Sequence, residues 1–312
     1  RQCHFALRNR YARNERWTVM TDVKNMLASD AEDTENYIKG IFESGLCGST
    51  RLREAAEYSL LGGGKRIRAA LAIEFCRMFG GDTKSALPFA AAIEMIHAFS
   101  LVHDDMPCMD NDDMRRGKPS CHKAYGEAEA LLCGDELFCL AFEVMTMNSY
   151  VPDSTVRRAV GEFARCAGAL GMIGGQHYDL CEKPETYDEL VRLHRMKTGA
   201  LIAASCLNGY YAAEPEPSDE ICRDLRKYAY ALGLAFQITD DILDVTSDEQ
   251  TLGKPIGSDE ENGKVTSLTF LSFEEASNEA ERVTEEAISA IKKYPSSEAL
   301  CDLAKYLRSR SF

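Results

Sequence analysis

At 312 residues, 45% hydrophobic and 28% charged, the chain has the composition of a folded globular protein with ample apolar material for a core, which excludes a disordered one. A formal net charge of -14 argues against a nucleic-acid binder, because phosphate backbones are held by basic faces. Any phosphate would have to be bound at local sites.

Residues 1–19 carry five arginines and one acid ahead of Met20. They read as an upstream extension, with a targeting segment as the alternative, and are set outside the fold. No uninterrupted apolar run approaches the roughly 20 residues that span a bilayer, so no stable membrane insertion is expected. Twelve cysteines are scattered without a Cys-x-x-Cys pair, which reads as reduced, mostly buried thiols in a cytoplasmic protein. Residues 20–312 show no repeat and no linker, and helical signals dominate after residue 30, so a single all-α domain is expected.

Taken in order, the first motif is 62-GGGKRIR-68, which sets three glycines before Lys65, Arg66 and Arg68. Glycines let the backbone approach an anion and the cations bind phosphate, although a helix-connecting loop with solvated charges explains the run equally well. The stretch LPFAAAIEMIHAFSLVHDD holds one acid, Glu94, before its terminal aspartates, which predicts a buried helix that is apolar on all sides. On their own, His97 and Phe99 inside it read as core residues.

That helix runs into HDDMPCMDNDDMRR. Asp104 and Asp110 are six apart, which on an ideal helix would leave them about 120° apart. Pro107 removes a backbone donor and disfavours helical geometry at Met106, so the helix is expected to end here with the cluster straddling its end. Arg115 and Arg116 either hold an anion beside the acids or simply neutralise them.

Further on, Pro152-Asp153-Ser154 and EPEPSD at 214–219 predict turns, and Thr186 with Glu189 predicts a capping box ahead of Lys197-Thr198. From Ile221 the apolar positions Leu225, Tyr228, Leu232 and Phe236 recur at steps of three and four, predicting a helix that runs into 240-DDILD-244. There Asp240 and Asp244 share one face, about a turn apart. With Asp241 they offer the hard oxygen donors that Mg²⁺ prefers. Lys254, in TLGKP, reads alone as a surface lysine. Ala276, Ala280, Val283, Ala287 and Ile291 mark one amphipathic helix, and Leu300, Leu303 and Leu307 a shorter one.

Either acidic cluster alone would read as a solvated helix end. Two clusters, each closing a strongly apolar helix, favour a metal site. His103, His122, His177 and His194 form no zinc-ligand spacing with nearby cysteines.

In this order GGGKRIR, MIHAFSLVHDDMPCMDNDDMRRGKP, GGQHYDL, MKTGAL, FQITDDILD and TLGKP resemble the motifs of the trans-isoprenyl diphosphate synthases, of the farnesyl and geranylgeranyl group. The resemblance runs from roughly Leu60 to the C-terminus. It implies an all-α bundle of antiparallel helices around a deep cavity, in a homodimer, with a trio of Mg²⁺ ions between facing aspartate clusters. By that resemblance Asp104, Asp110 and Asp240 are metal ligands, Asp105, Asp241 and Asp244 support or share that role, and Lys197 joins the aspartates in catalysis. Arg115, Lys197, Thr198, Gln237 and Lys254 would hold an allylic diphosphate. Lys65, Arg68, His97 and Arg116 would hold isopentenyl diphosphate. One departure is 262-NGKVTSL-268, which keeps Lys264 but lacks the usual Tyr-Pro turn.

The implied reaction joins isopentenyl diphosphate head-to-tail to an allylic diphosphate, dimethylallyl or geranyl. Phe99 followed by Ser100 resembles the farnesyl-type members, where an aromatic ring floors the cavity. Mainly (2E,6E)-farnesyl diphosphate is therefore expected, with geranylgeranyl diphosphate as the alternative. A terpene cyclase would not be expected to carry GGGKRIR. A silent regulatory subunit should have lost charged site residues, and none is lost here.

Overall fold

The computed structural model describes residues 2–48, 50–246 and 264–309, with side chains from Met20 onward. Among them the chain forms α1 (Gln2–Glu43), α2 (Thr50–Leu60), α3 (Ile67–Met78) and α4 (Thr83–Asp104), then a two-strand hairpin, β1 (Met114–Arg115) and β2 (Lys118–Pro119). There follow α5 (Cys121–Tyr125), α6 (Glu127–Thr146), α7 (Asp153–Ala167), α8 (Met172–Cys181) and α9 (Tyr187–His194). A π-helical turn (Arg195–Gly199) leads into α10 (Ala200–Ala213) and α11 (Asp219–Thr246). The chain closes with α12 (Ser267–Phe270), α13 (Phe273–Ile291) and α14 (Glu298–Arg308). The fold is all-α, as expected; the short hairpin was not. Because α1 begins at Gln2, its backbone shows no break at the expected boundary after residue 19.

The two helices without a polar face form the centre. Every residue of α10 from Ala200 to Ala212 is buried, and α10 packs on α3, α4, α7 and α11. Water is excluded from its whole circumference, as an all-round apolar sequence requires. α4, its apolar run interrupted by Glu94, is long and apolar enough by length and composition to cross a membrane, yet it lies against α3, α6 and α10. Its acid, Glu94, is buried with an oxygen on the Ala69 N–H at 3.1 Å and faces Arg66 at 3.7 Å.

The amphipathic helices wrap this centre. α11 packs along α13, where Ala276, Ala280, Val283, Ala287 and Ile291 are all buried, the stripe predicted from their spacing. Leu300, Leu303 and Leu307 of α14 are likewise buried. Truncating a fully buried leucine such as Leu303 would cost roughly 2–5 kcal/mol. Among the described residues the cysteines are free, with Cys108, Cys139 and Cys181 exposed and the others buried. This layout brings the ends of α4 and α11 to the neighbourhood of α8 and the π-helical turn.

Candidate active site

α4 ends at Asp104, one residue into the acidic run, as Pro107 demands. The chain then turns back so that the Asp110 N–H donates to the Asp104 carbonyl at 2.8 Å and the Asn111 N–H to the Met106 carbonyl at 3.1 Å. Asn111 takes a φ of 55°, the left-handed conformation that asparagine tolerates well. Asp104 and Asp110 are thereby brought together across a helix end. Burial pushes the Asp104 carboxyl up to about 6; Lys197 opposes the rise and Asp110 adds to it.

Asp105 points elsewhere. It is 2% exposed and held by the Arg115 guanidinium, whose Nε lies 3.1 Å and 3.2 Å from the two carboxylate oxygens. Neighbouring helix residues point about 100° apart, so Asp104 and Asp105 cannot share one focus. Arg115, expected at the ligand, also reaches Asp112 at 3.4 Å.

The second cluster is wholly helical, within α11, so the expected register of Asp240 and Asp244 holds. Asp241 and Asp244 are buried, and Asp241 accepts the Ser267 N–H at 2.7 Å, fixing the start of α12. Asp240 is the partly exposed member.

The π-helical turn joins the clusters. Lys197 acts on Asp104 by charge, while the Thr198 hydroxyl donates to Gln237 Oε1 at 2.9 Å, one turn before Asp240 and Asp241. On the far side Lys264 Nζ stands 3.8 Å from Asp110 Oδ2, three residues before Ser267 meets Asp241. These contacts link the two clusters, Thr198–Gln237 on one side and Lys264–Asp110 with Ser267–Asp241 on the other. Lys254 lies outside the described residues.

The GGGKRIR loop approaches from the start of α3. Gly63 and Gly64 take φ of 101° and 126°, and an Arg116 guanidinium N–H donates to the Gly63 carbonyl. A Cβ on Gly64 would stand 3.0 Å from the Arg116 guanidinium carbon, so the glycine makes room for that arginine. Lys65 is exposed, and Arg68 Nε is buried without a hydrogen-bond partner. Arg66 instead serves the fold, bonded to Glu35 at 2.9 Å and to the Leu60 carbonyl at 2.6 Å.

His97 faces this group. Burial first, then the charges of Arg68, Arg116, Arg66 and Arg115, hold it well below the usual imidazole range. It is a neutral ring amid cations that an anion would satisfy.

Phe99 packs edge-on against Phe138 of α6 at 5.2 Å and against His103 at 4.9 Å, and Phe138, Phe142 and Phe163 continue the row. Ser100 bonds its own helix, donating to the His97 carbonyl at 2.9 Å.

Two partners were not singled out from the sequence. Gln176 Nε2 donates to Asp104 Oδ1 at 2.9 Å, and Asp179 Oδ2 accepts from Lys197 Nζ at 2.6 Å. The usable signal was Gly174-Gly175 ahead of them: a Cβ on Gly175 would stand 2.3 Å from the Lys197 nitrogen. Only a glycine lets α8 lie this close to the turn.

Among the described residues no three metal-ligating side chains converge as a ready cage. The donor set is nonetheless all carboxylate oxygen, and Mg²⁺ takes one or two carboxylates and fills its octahedron with water and phosphate oxygens. The residues therefore fit Mg²⁺ arriving with a diphosphate.

A family model described as polyprenyl synthetase matches residues 49–305. The chain is 42% identical over 266 residues to a chloroplastic geranylgeranyl pyrophosphate synthase of Catharanthus roseus, covering 83% of this chain and 74% of that protein. It is 43% identical over 268 residues to the chloroplastic geranylgeranyl pyrophosphate synthase 11 of Arabidopsis thaliana, with the same coverages of 83% and 74%. Among solved structures it resembles an apo FPP/GFPP synthase from Zymomonas mobilis, with a TM-score of 0.81 at 34% identity, covering 93% of this chain and 100% of that one. A geranyltransferase from Legionella pneumophila gives a TM-score of 0.83 at 34% identity, with coverages of 94% and 98%.

Proposed function

The chain belongs to the polyprenyl synthetase family, as a trans-isoprenyl diphosphate synthase, and from that premise we propose that it extends allylic diphosphates to the twenty-carbon geranylgeranyl diphosphate. The observation that carries the reading is the pair of aspartate clusters linked by Thr198–Gln237 and by Lys264–Asp110 with Ser267–Asp241. The product length rests on the relatives named geranylgeranyl synthases. It replaces the farnesyl expectation drawn from Phe99, whose ring is engaged in the α4–α6 contact.

Asp104, Asp110 and Asp240 would hold Mg²⁺, which when bound supplies Lewis-acid neutralisation of diphosphate oxygens. Lys197 and Thr198 hold the allylic diphosphate and oppose the negative charge that grows on it as its bond to carbon breaks. Lys65, Arg68 and Arg116 hold isopentenyl diphosphate, with neutral His97 beside them as a donor. The double bond of isopentenyl diphosphate attacks the allylic carbon as its bond to diphosphate breaks, and a proton then passes to the released diphosphate, leaving a chain longer by five carbons. The apolar side of α4 excludes water from the cationic carbon.

The relatives' chloroplastic names favour an organelle over the cytoplasm expected from composition, and the family resemblance alone supports a homodimer. The protein should convert dimethylallyl and isopentenyl diphosphates to a product of twenty carbons by mass. Accumulation at fifteen carbons would restore the farnesyl reading. No prenyl product at all would favour a silent subunit.

A further inference from the structure

α8 lies against the π-helical turn and faces the end of α4, and nothing in the chemistry above uses its side chains. Gln176 and Asp179 are three apart, hence neighbours on one face. One donates to Asp104 Oδ1 at 2.9 Å and the other accepts from Lys197 at 2.6 Å. The two groups they hold are opposite charges, and both belong to the same reacting space.

The direction of the Gln176 bond is set by chemistry. A carboxylate only accepts, so the carboxamide must present its NH₂ to Asp104; the flipped amide would set two acceptors face to face. Gln176 Oε1 is buried without a hydrogen-bond partner. Among the described residues, the bond to Asp104 is the hydrogen bond that orients the amide. The contact is also rigid at its base, because Gly175 brings the α8 backbone against Lys197 and Gly174 leaves no room for a Cβ, which would stand 1.9 Å from the Ala169 carbonyl oxygen.

We propose that Gln176 is a positioning residue that fixes the carboxylate of Asp104 by donating to Oδ1, leaving Oδ2 for a bound cation, while Asp179 aims Lys197 at the diphosphate. This rests on the synthase reading above. A group held in place before the ligand arrives spends no free energy on being ordered then, and loss of such a support typically costs about 10–100-fold in affinity or activity.

The test compares Gln176→Ala with Gln176→Glu. Glutamate has the shape of glutamine but replaces the donor by an acceptor. If Gln176 only fills space, Gln176→Glu should retain more activity than Gln176→Ala. If it positions Asp104 by donation, Gln176→Glu should be the worse of the two, with kcat down at least about tenfold and KM for isopentenyl diphosphate within about twofold. Calorimetry with inorganic diphosphate and Mg²⁺ gives a readout apart from turnover, and affinity should fall in the order wild type, Ala, Glu. Circular dichroism confirms that the variants fold. If both variants bind and turn over like an active wild type, or Gln176→Glu surpasses Gln176→Ala, the positioning role is wrong and the synthase reading stands. A wild type with no prenyl transfer would instead remove the synthase reading itself.

Discussion

Lys264 Nζ stands 3.8 Å from Asp110 Oδ2, which puts a cation from the segment before α12 on an acid from the end of α4. The pair is partly exposed, at 42% and 25%, so it adds under about 1 kcal/mol to stability. Lys264→Ala should leave the melting temperature nearly unchanged. It should lower the Mg²⁺ concentration that gives half-maximal rate, because a competing cation is gone from Asp110. A higher Mg²⁺ requirement would mean that Lys264 itself holds diphosphate.

Two separate diphosphate sites predict separable kinetics. Arg116 sits on the glycine loop with His97 nearby, and Lys197 sits at Asp104. Arg116→Ala should raise KM for isopentenyl diphosphate at least about tenfold, and Lys197→Ala should do so for the allylic substrate, each the cost of one charge-assisted contact. Initial-rate kinetics varying each substrate in turn decide it. Equal effects on both substrates would merge the sites.

Asp30 offers a pH test away from the chemistry. It is 0% exposed, its Oδ2 has no partner, and burial pushes its carboxyl up from 3.8 to about 7, against the opposing pull of Arg77. The folded state thus holds a proton that the unfolded chain has released between those values. Stability from this group is full below pH 4 and is lost as pH rises through 7. Asp30→Asn should therefore raise the melting temperature at pH 8 relative to wild type, with the advantage shrinking toward pH 4. An advantage that grows on acidification would reverse the assignment.

Phe99 separates packing from product control. Its ring is half-buried against Phe138 and His103, so Phe99→Ala should destabilise by up to about 3 kcal/mol, the low end of the range for losing a buried ring. The product should stay at twenty carbons. A wild type that stops at fifteen carbons, and lengthens its product on Phe99→Ala, would make this ring the cavity floor.

Local chemistry made much of this legible. Pro107 predicted the end of α4, and the Thr186–Glu189 capping box forms as its residues required. The three-and-four spacing of Ala276 to Ile291 marks the buried face of α13. What stayed hidden depends on distant partners. The β1–β2 hairpin has two residues per strand, too few for any alternation to show. The π-helical turn at Lys197 carries Thr198 and Gly199, weak helix formers that do not by themselves specify a π turn, and its close fit depends on Gly175 of another helix. That Asp105 is buried and paired with Arg115 depends on the packing of the hairpin against the end of α4, which no local pattern shows.

The central claim is that both aspartate clusters serve one reacting space. It is tested most directly by the steady-state rates of Asp104→Ala and Asp240→Ala at saturating Mg²⁺, with helix content followed by circular dichroism. Each substitution should cut turnover by at least about a thousandfold, on the scale of removing a transition-state charge partner, while helix content stays intact. Near-wild-type rates in both variants would contradict the account.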